Sequence, residues 1–153
     1  MIVEQESMEQ KVRARLAAIH ELAPGSIGDL MQYELLSCDE DKGEYTLLCR
    51  TFPWMRNIPG TLHGGMCATV VDQAMGFIAY CLKHEGGTAP TVQMSVNYHR
   101  PLIPGEDVVV RVRVVSVTRS LMNLSADAAL ASSPDRICLT STATYFNKTT
   151  KND

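Results

Sequence analysis

The stretch GGMCATVVDQAMGFIAYCL, residues 64–82, limits what this chain can become more than any other feature, because it carries one charged side chain, Asp72, in nineteen positions. Its length approaches a membrane span, but Asp72 and Gln73 sit at its middle and two glycines open it, so it reads as the buried helix of a soluble protein. Ala68, Val70, Val71, Ala74, Met75, Phe77 and Ile78 point nearly all round the helix axis, so the helix needs cover on most sides. Gly86 and Gly87 are its expected stop, and about His63 its start.

The remainder of the chain supplies that cover. Ser7 and Gln10 have capping-box spacing, and Met8, Val12, Leu16, Ile19 and Leu22 form one helical stripe before Pro24 and Gly25, giving an N-terminal helix over about 8–23. Residues 32–37 and 44–52 have strand character around the polar turn 39–43. Beyond the helix, 91–98, 107–118, 121–131 and 137–146 are rich in alternation: Arg111 and Arg113 interrupt Val108, Val110, Val112 and Val114 at every other place. The turns PLIPGED and SSPDR suit antiparallel neighbours. The expected class is α+β, one domain over 1–153, with an antiparallel sheet wrapped around one long central helix and a short flexible tail at about 148–153.

Charge and cysteine content exclude several functions. Fourteen Lys and Arg against seventeen Asp and Glu give a net charge of -3, which offers nothing to nucleic acid. Five cysteines without a C-x-x-C pair suit neither a disulfide framework nor a zinc cluster, and the four histidines lack ligand spacing, so no metal is expected. The opening MIVEQESMEQ has no basic segment before an apolar run. The expectation is a cytoplasmic protein without a membrane anchor.

Two features of the helix bear chemistry. Gly64 and Gly65 place residues without Cβ where the first free N–H groups point outward at the positive end of the helix dipole, a geometry that binds an oxyanion. The plainer reading is that they let the helix enter tightly against the sheet. Asp72 has no Lys or Arg three or four positions away on its own helix. It is either a solvated side chain on a wet face or a buried base or nucleophile. Eight residues separate Gly64 from Asp72, about 12 Å along the axis and roughly 80° around it. One carbonyl cannot touch both within one chain, so joint action requires two subunits meeting near a symmetry axis.

The run NIPGTLHGGMCATVVD, residues 57–72, resembles the N-x(5)-H-G-G-x(6)-D signature of hotdog-fold acyl-CoA thioesterases, and most resembles the branch acting on phenylacetyl-CoA and hydroxyphenylacetyl-CoA. The run APTVQMSVNYHRPLIPGEDV is similar to the strand and turn that follow in that family, so the likeness covers about 32–147. The resemblance implies a hotdog fold and hydrolysis of a small aryl- or acyl-CoA thioester to free acid and CoA. It implies that the Gly64 N–H polarises the carbonyl, with Asn57 nearby, and that Asp72 of the facing subunit is nucleophile or general base. It further implies that Thr91 helps hold the water and that His63 orients the loop and Asn57. Gly65, Arg100 and Arg119, with Lys83, are the candidate substrate contacts. Phe52, Trp54, Met55, Met75 and Phe77 are candidates for the acyl pocket.

A thioester carbonyl is already activated, so donors aimed at the developing O⁻ and one positioned oxygen suffice without a cofactor, coenzyme A being part of the substrate. The implied partner is a second copy: a homodimer as the minimal unit, assembling as a dimer of dimers, a homotetramer. Cys67 and Cys81 read as small buried thiols. Two alternatives stand beside this. A hotdog 3-hydroxyacyl-thioester dehydratase or hydratase would need a glutamate at Gly65 and a histidine at Thr51, and both are missing. A non-catalytic acyl-CoA-binding protein would use the same pocket without turnover.

Overall fold

The computed structural model describes residues 6–149. Helix α1 (Met8–Leu22) begins with the full capping box: the Gln10 N–H donates to Ser7 Oγ, and the Ser7 N–H donates to Gln10 Oε1. Val12 is fully buried, and Met8, Leu16 and Ile19 pack beside it on the core, whereas Leu22 at the last position is largely exposed instead of continuing the stripe. A four-residue helix, α2 (Ile27–Leu30), follows and has no periodic signal. It lies so close to the central helix that a Cβ on Gly28 would stand 3.0 Å from Phe77 Cζ.

Strands β1 (Glu34–Asp39) and β2 (Glu44–Cys49) form the expected hairpin, and a short 3-10 turn occupies Pro53–Met55. The central helix α3 (Gly64–Leu82) leads to β3 (Thr91–Tyr98), β4 (Val108–Val117), β5 (Leu121–Leu130) and β6 (Leu139–Phe146). All six strands join one antiparallel sheet in the order β1-β2-β4-β5-β6-β3. Alternation on β4 works as read: Val108, Val110 and Val112 are buried, while Arg111 and Arg113 face outward and pair with Asp127 and Glu44.

α3 differs from expectation in its end. It stops at Leu82, short of Gly86, because the chain is taken over by long-range bonds: the His84 N–H donates to Asn147 Oδ1, and the Thr88 N–H to the Lys148 carbonyl. The latter pairing also gives Lys148 a fixed place, whereas 150–153 of the expected flexible tail lie outside the described residues. The helix is covered on most sides, as expected. Val70, Val71, Ala74 and Ile78 are fully buried, yet Gly65, Ala68, Thr69, Asp72, Gln73 and Gly76 leave a partly exposed stripe running from its N-terminus. β3, at the end of the sheet, is likewise poorly covered, with Val92 and Tyr98 exposed.

Candidate active site

The loop entering α3 is tied at both sides before the helix starts. The Asn57 side chain donates from Nδ2 to Thr61 Oγ1 (2.8 Å) and accepts the Thr61 N–H at Oδ1 (2.9 Å). Gly60 completes this turn with φ of 93°, a conformation that disfavours side-chain-bearing residues. The Leu62 N–H donates to the Leu102 carbonyl and the His63 N–H to the Met55 carbonyl, so the loop approaches the helix along a fixed path.

His63 is the N-cap of α3, and its Nδ1 accepts the Gly65 N–H at 3.0 Å. No hydrogen bond joins His63 to Asn57 among the described residues: the Asn57 amide bonds Thr61, and the imidazole Nδ1 accepts from Gly65, two residues ahead of it. A Cβ on Gly65 would stand 3.2 Å from His63 Nδ1, so this glycine lets the ring fold over its own helix end. With Gly65 capped, the Gly64 N–H at the first helical position is left without an acceptor among the described residues, as is the Met66 N–H behind it. Tyr98 from β3 fixes the same residue from the other side, its hydroxyl donating to the Gly64 carbonyl at 2.9 Å.

Asp72, two turns along, is half-buried on the open stripe, so it is neither in bulk solvent nor deeply sequestered. Thr91 Oγ1 donates to its Oδ1 at 3.0 Å, and the Tyr145 hydroxyl donates to the same oxygen at 2.8 Å. Burial, and then the neighbouring Asp72 charge, push the Tyr145 phenol far above its usual range, so it remains a protonated donor at physiological pH. Sequence reasoning missed Tyr145 and Tyr98. The signal for the former was available: Leu139, Ser141, Ala143 and Tyr145 are the inward positions of β6, and a buried phenol must find an acceptor.

The other expected residues lie apart from this pair. Arg100 donates to the Ile137 carbonyl; the Arg119 carbonyl is met by the His84 ring; Lys83 lies over the Tyr80 ring and pairs with no acid among the described residues. Met55, Met75 and Phe77 are core, whereas Trp54 is 65% exposed at the loop. Burial pushes the Cys67 and Cys81 thiols up to about 11, and both are poor nucleophiles at neutral pH. Thr51 is a buried strut on the Glu106 carbonyl.

A six-stranded antiparallel sheet packed on one long helix defines the hotdog class. Residues 59–130 match the family model described as the thioesterase superfamily. Acyl-coenzyme A thioesterase 13 of Homo sapiens is 35% identical over 71 residues, 46% of this chain and 50% of that protein. The Mus musculus counterpart is 28% identical over 123 residues, 79% of this chain and 84% of that protein. The chain thus spans about half the length of the first of these relatives. The crystal structure of thioesterase superfamily member 2 from Mus musculus superposes with a TM-score of 0.72 at 21% identity, over 94% of this chain and all of that one. The chain has the hotdog fold, and over residues 59–130 it is similar to the thioesterase superfamily.

Proposed function

We propose that the protein hydrolyses an acyl-CoA thioester, a small aryl- or alkyl-acyl group being the substrate class, to the free acid and CoA. The observation that carries this reading is the pairing of a free Gly64 N–H at the N-terminus of α3 with a hydroxyl-held carboxylate, Asp72, on the same helix. The Gly64 N–H would stabilise the charge that develops on the carbonyl oxygen. Asp72 either attacks the carbonyl carbon or takes a proton from the attacking water; in both courses the C–S bond breaks, the thiol leaves with a proton and the acyl group leaves with oxygen from water. The name of the relatives, acyl-coenzyme A thioesterases, supports the substrate class.

About 12 Å of helix separates the two groups, too far for one carbonyl. The reading therefore includes a homodimer, in which Asp72 of one protomer faces Gly64 of its partner, and a dimer of dimers as the larger assembly. The terminal strand β3, with its outer edge unpaired and Val92 exposed, supports an edge suited to such pairing. Arg100 and Arg119 are the cations proposed for the CoA phosphates.

The test is release of free thiol from a panel of aryl and alkyl acyl-CoA esters by the intact protein and by Asp72→Ala. The variant is expected to fold and to lose roughly 100-fold or more in kcat/KM. Equal activity in both proteins removes Asp72 from the chemistry. Tight acyl-CoA binding with no turnover of any ester makes the protein a binder.

A further inference from the structure

Tyr145 is a buried titratable group that the hydrolysis as proposed does not use, although it touches the carboxylate on which that hydrolysis depends. We infer that Tyr145 is a positioning residue: together with Thr91 it binds Oδ1 of Asp72 and so leaves Oδ2 as the oxygen presented to the acyl carbonyl or to water. The inference rests on the reading of Asp72 as the reacting group.

Both donors choose one oxygen. Thr91 Oγ1 lies 3.0 Å and the Tyr145 hydroxyl 2.8 Å from Oδ1, and no described group donates to Oδ2. Tyr145 also lies 3.1 Å from the Asp72 carbonyl, but a phenol has one hydrogen, and the nearer, charged acceptor takes it. A carboxylate held by two donors on one side loses the freedom to rotate about its bond to the helix, and its second oxygen points in a fixed direction before substrate arrives.

The donors are themselves immobile. Thr91 and Tyr145 are paired across the β3–β6 ladder, so one stretch of sheet delivers both hydroxyls. Tyr145 is 1% exposed and heads the fully buried side chains of the core. The ring lies beside Gly76, one turn beyond Asp72, where an added Cβ would meet Tyr145 Cε1 at 3.9 Å, an ordinary contact.

Among the described residues, nothing of opposite charge is paired with the carboxylate. On α1, Arg13 is bound to Glu9 and Arg15 lies over Tyr80. On β4, Arg111 and Arg113 face outward to Asp127 and Glu44. Lys148, after β6, lies over Phe146, and Tyr98 of β3 is bound to the Gly64 carbonyl. Tyr33, before β1, is the other titratable group that feels the Asp72 charge, and its hydroxyl donates to the Val70 carbonyl. Orientation of Asp72 thus falls to the two hydroxyls.

Tyr145→Phe removes the donor and keeps the ring. The expected result is an unchanged melting temperature within a few degrees, a kcat lower by roughly 10- to 100-fold with KM little altered, and an acid limb of the kcat/KM profile moved to higher pH, since a donor that favours the charged carboxylate is gone. In an Asp72→Ala background the same change should cost nothing further. 3-Fluorotyrosine placed at position 145, a stronger donor of nearly the same shape, should move the acid limb the other way. The inference is overturned if both replacements leave kcat and the acid limb in place, or if Tyr145→Phe costs as much without Asp72 as with it. Should Asp72→Ala alone retain full activity, the reading of the site fails; should Asp72→Ala be inactive while Tyr145→Phe is fully active, the inference alone fails.

Discussion

Thr91 and Tyr145 stand opposite each other in the β3–β6 ladder and give their hydroxyl hydrogens to the same oxygen of Asp72. The carboxylate on α3 is therefore aimed by the sheet and not by its own helix. β3 reaches the helix a second time at its far end, where Tyr98 holds the Gly64 carbonyl. One strand thus sets both halves of the candidate site, and its outer edge is the unpaired one. In the dimer proposed above, that edge is where a second protomer would add.

That arrangement makes a complementation experiment decisive. Gly64→Pro removes the free N–H while respecting the helix: position 64 is the first residue of α3, where proline is well tolerated, and His63 already has φ of -57° and ψ of 138°, the conformation a following proline favours. Mixing it with Asp72→Ala should restore about a quarter of wild-type thiol release, since about half of randomly reassorted dimers are mixed and each holds one intact composite site. Verified mixed dimers without recovered activity would show that the two groups do not act on one carbonyl across subunits.

The two glycines opening α3 should respond differently to a methyl group. On Gly65 the added Cβ meets His63 Nδ1 at 3.2 Å and Cε1 at 3.3 Å, so the ring must swing away and the Gly65 N–H loses its cap. Gly65→Ala is expected to cost about 1 kcal/mol, a fall of about 3 °C in Tm. On Gly64 the Cβ meets only the Tyr98 ring, at 3.7 Å, an ordinary contact, and Gly64→Ala should stay within about 0.5 kcal/mol of the parent. Thermal melts in the opposite order would refute this account of the helix start.

The parts of this molecule that local pattern encodes were legible, and the parts made by distant contacts were not. The Val–Arg alternation of β4 and the Ser7–Gln10 spacing fix their elements within a few residues, because each is a period or a cap contained in the segment itself. α2 has four residues, too few for a period. The end of α3 is set by Asn147, some sixty positions downstream, and no stop signal near Leu82 reports it. In the site, Asp72, Gly64 and Thr91 were visible through one motif and the strand after it. Tyr145 was not, because its relation to Asp72 exists only once β6 is paired with β3. The capping bond of His63 Nδ1 to the Gly65 N–H was not read from the sequence either, although it spans only two residues.

Acid should weaken the clasp between α1 and α2. Asp29 accepts the Gly25 N–H at 2.7 Å and faces His20 Nδ1 at 2.9 Å, and these two, the Gly25 bond foremost, hold its carboxyl below the ordinary value of 3.8. Because the folded protein lowers this value, the native state binds the proton less readily than the unfolded chain. The stabilisation is then complete above the unfolded value of 3.8 and is lost as pH falls through the lower folded one. Asp29→Asn should accordingly lower Tm at pH 7, and the gap between variant and parent should shrink as pH is taken below about 4. Denaturation of both proteins at pH 7 and pH 3 measures that gap; one that is the same at both values would show that the Asp29 charge contributes nothing to holding α2 against α1.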